Sequence, residues 1–195
     1  MFKVPPFFVS FFIAGISAHT TVDVLFYNAE NCTTSVGAIC TALKPDLCCG
    51  SPSYLWSSIL AENFQDAASG TQVRVYRPNG GNICGILIFD VQQGQCLVTG
   101  QTGVISAAAF ENGTKRRRRG AAAAEGGCTD VQPIDAYFYQ PGDGFRYIID
   151  AKNSTHAAAF DAATDSDERA EYIAANFDKK VAVGAYREVT IRFSG

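Results

Sequence analysis

The sequence is poor in the residues on which most catalytic chemistry rests. It has two histidines, one methionine and one tryptophan in 195 residues. His19 belongs to the amino-terminal leader described below, which leaves His156 as the single imidazole of the remaining chain. No Ser or Cys stands in a nucleophile elbow, and no carboxylate is placed by spacing to orient His156, so no Ser-His or Cys-His catalytic set is expected. Paired Cys/His clusters at zinc-ligand spacing are missing, which excludes a zinc module. Neither Gly-x-Gly-x-x-Gly nor Gly-Lys-Ser/Thr follows a strand pattern, so the glycines are read as turns rather than phosphate cradles. No apolar run beyond residue 20 approaches membrane-spanning length. Basic residues are also scarce outside one place. Residues 21–114 carry seven acidic and three basic side chains, and residues 120–195 carry twelve and seven. A nucleic-acid surface spread over the fold is therefore not expected.

What is present points to export. Residues 1–20 combine one lysine, a short Phe-rich apolar stretch and then Ala14, Gly15, Ser17 and Ala18, the order of a secretory signal peptide cut near residues 17–20. Three glycosylation triplets, at Asn31, Asn112 and Asn153, agree with that route. The seven cysteines, Cys32, Cys40, Cys48, Cys49, Cys84, Cys96 and Cys128, then read as a disulfide framework with one cysteine left over. Adjacent Cys48 and Cys49 are expected to staple two different segments. Cys84 and Cys96 flank one strand and a turn and are a plausible local pair. Two schemes stay open: one bridge to Cys128 with two pairs inside the first block, or three pairs inside it.

The chain is organised around residues 73–90. Val73 and Val75 alternate with Arg74 and Tyr76 as in a half-buried strand, and the stretch Pro78-Asn79-Gly80-Gly81 supplies a turn. Residues 86–89 are apolar on both faces and read as a strand covered on each side. The pattern recurs: Tyr139, Pro141 and Gly144 stand as Tyr76, Pro78 and Gly81 do, which suggests a repeated β unit. Around it, residues 21–27 and 39–43 read as strands, residues 44–53 as a stapled loop, and residues 54–60 as a segment burying Trp56 and Ile59. Residues 104–110 close the block.

Tyr27 with Gly37, Ser57-Ser58-Ile59, and the run from Gly70-Thr71 through Tyr76 and Pro78 to Gly85 resemble the Greek-key motifs of βγ-crystallin-like proteins. They also resemble small cysteine-rich secreted proteins of fungi. The resemblance covers residues 21–110, with a weaker echo at 134–150, and it implies a mainly β, crystallin-like antiparallel Greek-key sandwich. The family's calcium signature, two Asn/Asp residues shortly before a Ser/Thr-Ser pair, is not matched. Ser53-Tyr54-Leu55-Trp56 precede Ser57-Ser58, and Gln101-Thr102-Gly103-Val104 precede Ile105-Ser106, so no metal is expected.

Residues 111–127 break the pattern with Lys115, Arg116, Arg117, Arg118 and Arg119, four alanines and Glu-Gly-Gly, the composition of an exposed linker. The basic run reads equally as a dibasic processing site or a solvated loop. The segment 128–195 is expected to be β-rich with one helix, capped by Asp165 or Ser166 and running to about Phe177, with Ala170, Ile173, Ala174 and Phe177 on one face. Strands are expected at 134–139, 145–150, 181–186 and 188–193, and His156 in an exposed loop. The organisation is thus a leader (1–20), a Greek-key domain (21–110), a linker (111–127) and the tail (128–195). The functional expectation is a secreted binding, toxin-like or effector protein with no cofactor and no catalytic residues. Its partner is an unidentified extracellular or cell-surface target, with no membrane anchor once the leader is removed. The rival expectation is an extracellular hydrolase using Asp143, Asp150 and Glu168.

Overall fold

The computed structural model describes residues 20–33, 35–67, 70–111 and 130–190. The leader, Asn112, the run from Lys115 to Arg119, Cys128 and the last part of the expected final strand lie outside the described residues. Eight strands make up the first block: β1 (Thr21–Tyr27), β2 (Ser35–Leu43), β3 (Leu47–Gly50), β4 (Ser58–Gln65), β5 (Gln72–Asn79), β6 (Asn82–Val91), β7 (Gln95–Val98) and β8 (Ala107–Glu111). They form two quartets with the same internal order, β2-β1-β4-β7 in one sheet and β6-β5-β8-β3 in the other. In each quartet the third strand of one unit has crossed to the sheet of the other. This exchange locks the two sheets together through the chain itself.

The remaining segment adds to both sheets. It comprises β9 (Asp130–Gln132), β10 (Ala136–Gln140), β11 (Phe145–Asp150), α1 (Ser154–Ala162), α2 (Ser166–Asn176), β12 (Lys179–Ala182) and β13 (Arg187–Thr190). The first sheet becomes eight-stranded, β12-β11-β10-β2-β1-β4-β7-β13, and the second five-stranded, β6-β5-β8-β3-β9. Not every pairing is antiparallel: β13 runs parallel to β7 and β9 parallel to β3, so both sheets are mixed.

β1 shows how sequence becomes layer. Val22, Val24 and Phe26 face the space between the sheets, while Leu25 and Tyr27 face the opposite side, and all five are fully buried. The inter-sheet core joins them to Val73, Val75, Leu97, Ile105 and Phe110, with Trp56 and Ile59 buried as expected. Beyond the reach of the second sheet, the helices cover the same face. Phe160 of α1 stacks on Tyr137 of β10 at 3.7 Å between ring centroids, and Ile173 of α2 is fully buried. Gly37 in β2 has to be glycine because a Cβ there would lie 2.5 Å from the Phe138 ring of β10. The bare backbone thus lets the hairpin β10–β11 dock on β2.

Several expectations are corrected. Among the described residues there are two helices. Asp165 caps α2, accepting from the Asp167 and Glu168 N–H groups at 2.9 Å each. α1 occupies the region read as a loop, capped by Asn153, which accepts from the Thr155 N–H. Its Ala-rich turn carries one large apolar anchor, Phe160, so no periodicity marks it in the sequence. Phe177 follows α2 and is 42% exposed rather than packed inward. Residues 44–53 are not only a loop, because they contain β3. Residues 86–89 are not covered on each side: β6 is an edge strand, and Ile86 and Leu87 are each 37% exposed. The cysteine pairs are Cys32–Cys96, Cys40–Cys49 and Cys48–Cys84, with Cα separations of 6.0, 6.3 and 6.6 Å. Cys84 and Cys96 therefore do not bond each other. β6 belongs to one sheet and β7 to the other, so the intervening turn separates them. Cys48 and Cys49 do staple two segments, as a strand requires of neighbours that point to opposite faces.

Candidate functional site

The expected hydrolase carboxylates stand apart in local roles. Asp143, in the β10–β11 turn, accepts from the Phe145 N–H and the Tyr147 hydroxyl, both at 2.9 Å. Lost hydration pulls its carboxyl upward, but these two donors outweigh it and hold the group below its ordinary value. Asp150 accepts from the Lys152 N–H at 2.8 Å. Glu168 accepts from the Thr164 N–H and hydroxyl, closing the first turn of α2. His156 sits on α1 and is largely buried, not in a free loop. Its Nδ1 is 3.0 Å from the Tyr172 hydroxyl and its Nε2 is 3.5 Å from Asp178. Asp178 also accepts from the Asp150 N–H, so this imidazole ties α1 to the end of α2 and to β11. Of the glycosylation triplets, Asn153 is exposed and caps α1 through Oδ1, not through the amide nitrogen that a glycan would take. Asn31 accepts from the Thr33 N–H at 3.1 Å. Among the described residues, no group of three or more His, Cys, Asp or Glu side chains is arranged to hold a metal ion. Also among them, no helix is long and apolar enough to cross a membrane.

A cleft of about 350 Å³ opens where the amino-terminal end of α2 meets the β1–β2 connection and the end of β10. Clefts that take small organic ligands span roughly 300–1,000 Å³. Its walls include Asn28, Ser35, Tyr139, Gln140, Ser166 and Asp167. A buried polar network holds the wall from behind. Arg146, 3% exposed, donates to Glu62 at 2.8 Å, to the Tyr27 hydroxyl at 3.2 Å and to Gln140 at 3.3 Å. Gln140 in turn donates to the carbonyls of Cys32 and Thr33. Burial pushes the Tyr27 hydroxyl up to about 12, against the opposing pull of Arg146, so it stays a neutral donor. The β1–β2 connection, which carries Cys32, is therefore pinned to β10 at the rim of the cleft.

Other cleft groups are left uncommitted. Asn28 donates through Nδ2 to the Ser166 Oγ at 3.3 Å, which leaves the Asn28 carbonyl oxygen and the Ser166 hydrogen. The Asp167 carboxylate and the Tyr139 hydroxyl have no partner among the described residues. From Tyr139 an aromatic row leads outward. Tyr147 lies 6.5 Å away and Phe177 5.1 Å further, edge to face. Phe145 completes it, 39% exposed, with the Lys180 ammonium 4.1 Å from its ring.

This site is not legible in the sequence. Asn28, Tyr139, Pro141 and Ser166 are each visible as turn, repeat or cap residues, but 138 positions separate Asn28 from Ser166, and no local signal joins them. No curated protein and no solved structure matches the chain. The family described as ARB_05566_N: N-terminal domain matches residues 23–136, a span that runs from within β1 through both quartets to the first residue of β10. That span is more than half of the chain, and the protein belongs to this family.

Proposed function

We propose that the protein is exported and works outside the cell as a disulfide-stabilised binding protein that takes its ligand at the α2 cleft. The observation that carries this is the pairing of six cysteines into three bridges. Such a framework persists in an oxidising compartment and is rare in a reducing one. The cleft supports the binding half of the reading, because it holds a carboxylate, a carbonyl and two hydroxyls that the fold itself leaves over. A toxin-like or effector role is the narrower form, in which the ligand belongs to another organism or a cell surface. The crystallin-like Greek-key reading belongs here too. Its support is the pair of like-ordered quartets with exchanged third strands.

The test is expression of the full chain in a eukaryotic secretory host, followed by intact-mass measurement of the medium before and after reduction and deglycosylation. The expected product begins near residues 17–20, gains six hydrogens on reduction and carries glycan at one or more of Asn31, Asn112 and Asn153. A chain held in the cell with its leader intact and its thiols free would overturn export.

A further inference from the structure

The ligand class follows from the charges around the cleft and from what adjoins it. An anion is disfavoured, because Asp165 already accepts the first free N–H groups of α2 and Asp167 and Glu168 stand in its first turn. A polycation suits the cleft alone but not its continuation, where Lys180 lies over Phe145 and Tyr147 at 4.1 and 4.8 Å. A purely apolar partner would leave the Asp167 carboxylate and the Asn28 carbonyl without hydrogen bonds, at the cost of stripping their water. A neutral polyhydroxylated ring meets all three conditions. Its equatorial hydroxyls donate to a carboxylate and a carbonyl, and its C–H face packs on an aromatic ring. The row Tyr139, Tyr147, Phe177 and Phe145 continues such contacts beyond one ring. Phe145 and Phe177 stay 39% and 42% exposed, and Tyr147 is held in place by Asp143.

We propose that the α2 cleft and the aromatic row together bind a neutral saccharide chain. One sugar sits against Asn28, Tyr139, Ser166 and Asp167, and the chain runs on past Tyr147 to the exposed ring of Phe177. This rests on the reading of the protein as an extracellular binder and names its ligand.

The test uses the full exported chain with its disulfides intact. Cellohexaose, laminarihexaose, chitohexaose, xylohexaose and mannohexaose, with their disaccharides, are titrated by calorimetry, with polylysine as the cationic alternative. One hexaose is expected to bind at least tenfold more tightly than its disaccharide, because only the longer chain reaches the row. Asp167→Asn keeps shape and is expected to lower affinity for both lengths at least tenfold. Phe177→Ser is expected to lower hexaose affinity at least threefold and leave the disaccharide unchanged. Both positions are exposed, so the unfolding temperature of each variant should match that of the parent, and Tyr139→Phe provides a second cleft variant that removes only a hydroxyl. No binding of any neutral saccharide by the folded, exported chain overturns the proposal while leaving export intact. Binding unchanged by both Asp167→Asn and Tyr139→Phe overturns it, as does Asp167-dependent binding of polylysine in place of sugar.

Discussion

In the first block, β1 to β8, three disulfides close loops of 64, 9 and 36 residues, and Cys40–Cys49 joins a strand of one sheet to a strand of the other. In the segment from β9 to β13 every described tie is noncovalent. β10 pairs with β2, β13 with β7, β9 with β3, and Phe160 anchors the helices on Tyr137. The first region restricts its own unfolded state, whereas the second depends wholly on contacts made in the folded one. The proposed ligand groups come mostly from the second region, Tyr139, Ser166 and Asp167, and their wall is tied to the first by Arg146 of β11, which donates to Glu62 and Tyr27. The proposed site thus lies where a stapled frame meets a segment held by noncovalent contacts.

The largest test of that contrast is reduction. Removing a native disulfide from a small secreted domain costs about 2–5 kcal/mol, and a loop-entropy estimate ranks the bridges at about 4 kcal/mol for Cys32–Cys96, about 4 for Cys48–Cys84 and about 2.5 for Cys40–Cys49. Reductant should therefore unfold the first block cooperatively. The double variant Cys32→Ser with Cys96→Ser should lower stability more than Cys40→Ser with Cys49→Ser in chemical denaturation. Equal losses for the two would show that loop length does not set their worth.

Phe160→Ala comes next. Emptying a fully buried aromatic site costs about 3–5 kcal/mol. The loss should fall on α1 and α2, with hydrogen exchange faster there and unchanged in β1, β4 and β7. Uniform exchange across both regions would show a single cooperative unit.

The third test reads the polar seam by pH. The Tyr27 hydroxyl titrates at about 12 in the folded chain against 10.0 in the unfolded one. Its pKa is raised on folding, so the associated stability is complete below pH 10 and is lost as pH rises through about 12. Two units correspond to about 2–3 kcal/mol. Tyr27→Phe should flatten the alkaline fall in stability, and an unaltered alkaline profile would remove Tyr27 as its cause.

A smaller effect is expected on cutting the chain between residues 111 and 130. The strand pairings should keep both pieces in one particle by gel filtration. Because all three bridges lie before residue 97, urea alone should then separate the pieces without reductant. Pieces that stay joined in urea until reduced would reveal a covalent link to Cys128. Smallest of all, His156→Gln should cost less than about 1 kcal/mol, since its partner Asp178 is half exposed. A larger loss in thermal unfolding would make this imidazole the main tie of the helices.

Much of the local structure was legible. The alternation of Val73 and Val75 with Arg74 and Tyr76, closed by Gly80-Gly81, is the observed β5–β6 hairpin, and the Asp165 cap with Ile173 is the observed start and buried face of α2. α1 was not legible, because alanines and a single Phe160 carry no period and its cap lies inside a glycosylation triplet.

The amino-acid sequence by itself determined the β-rich class, the central hairpin and the fact that Cys48 and Cys49 serve two different bridges. These follow from neighbours along the chain: side-chain alternation, turn chemistry and the opposite directions of adjacent residues in a strand. Tertiary structure alone decided that Cys84 meets Cys48 rather than Cys96, that β6 ends its sheet with Ile86 and Leu87 half covered, and that Asn28 meets Ser166. Each of these depends on which strands become neighbours, and an alternating pattern states which face a side chain takes without stating what will lie against it.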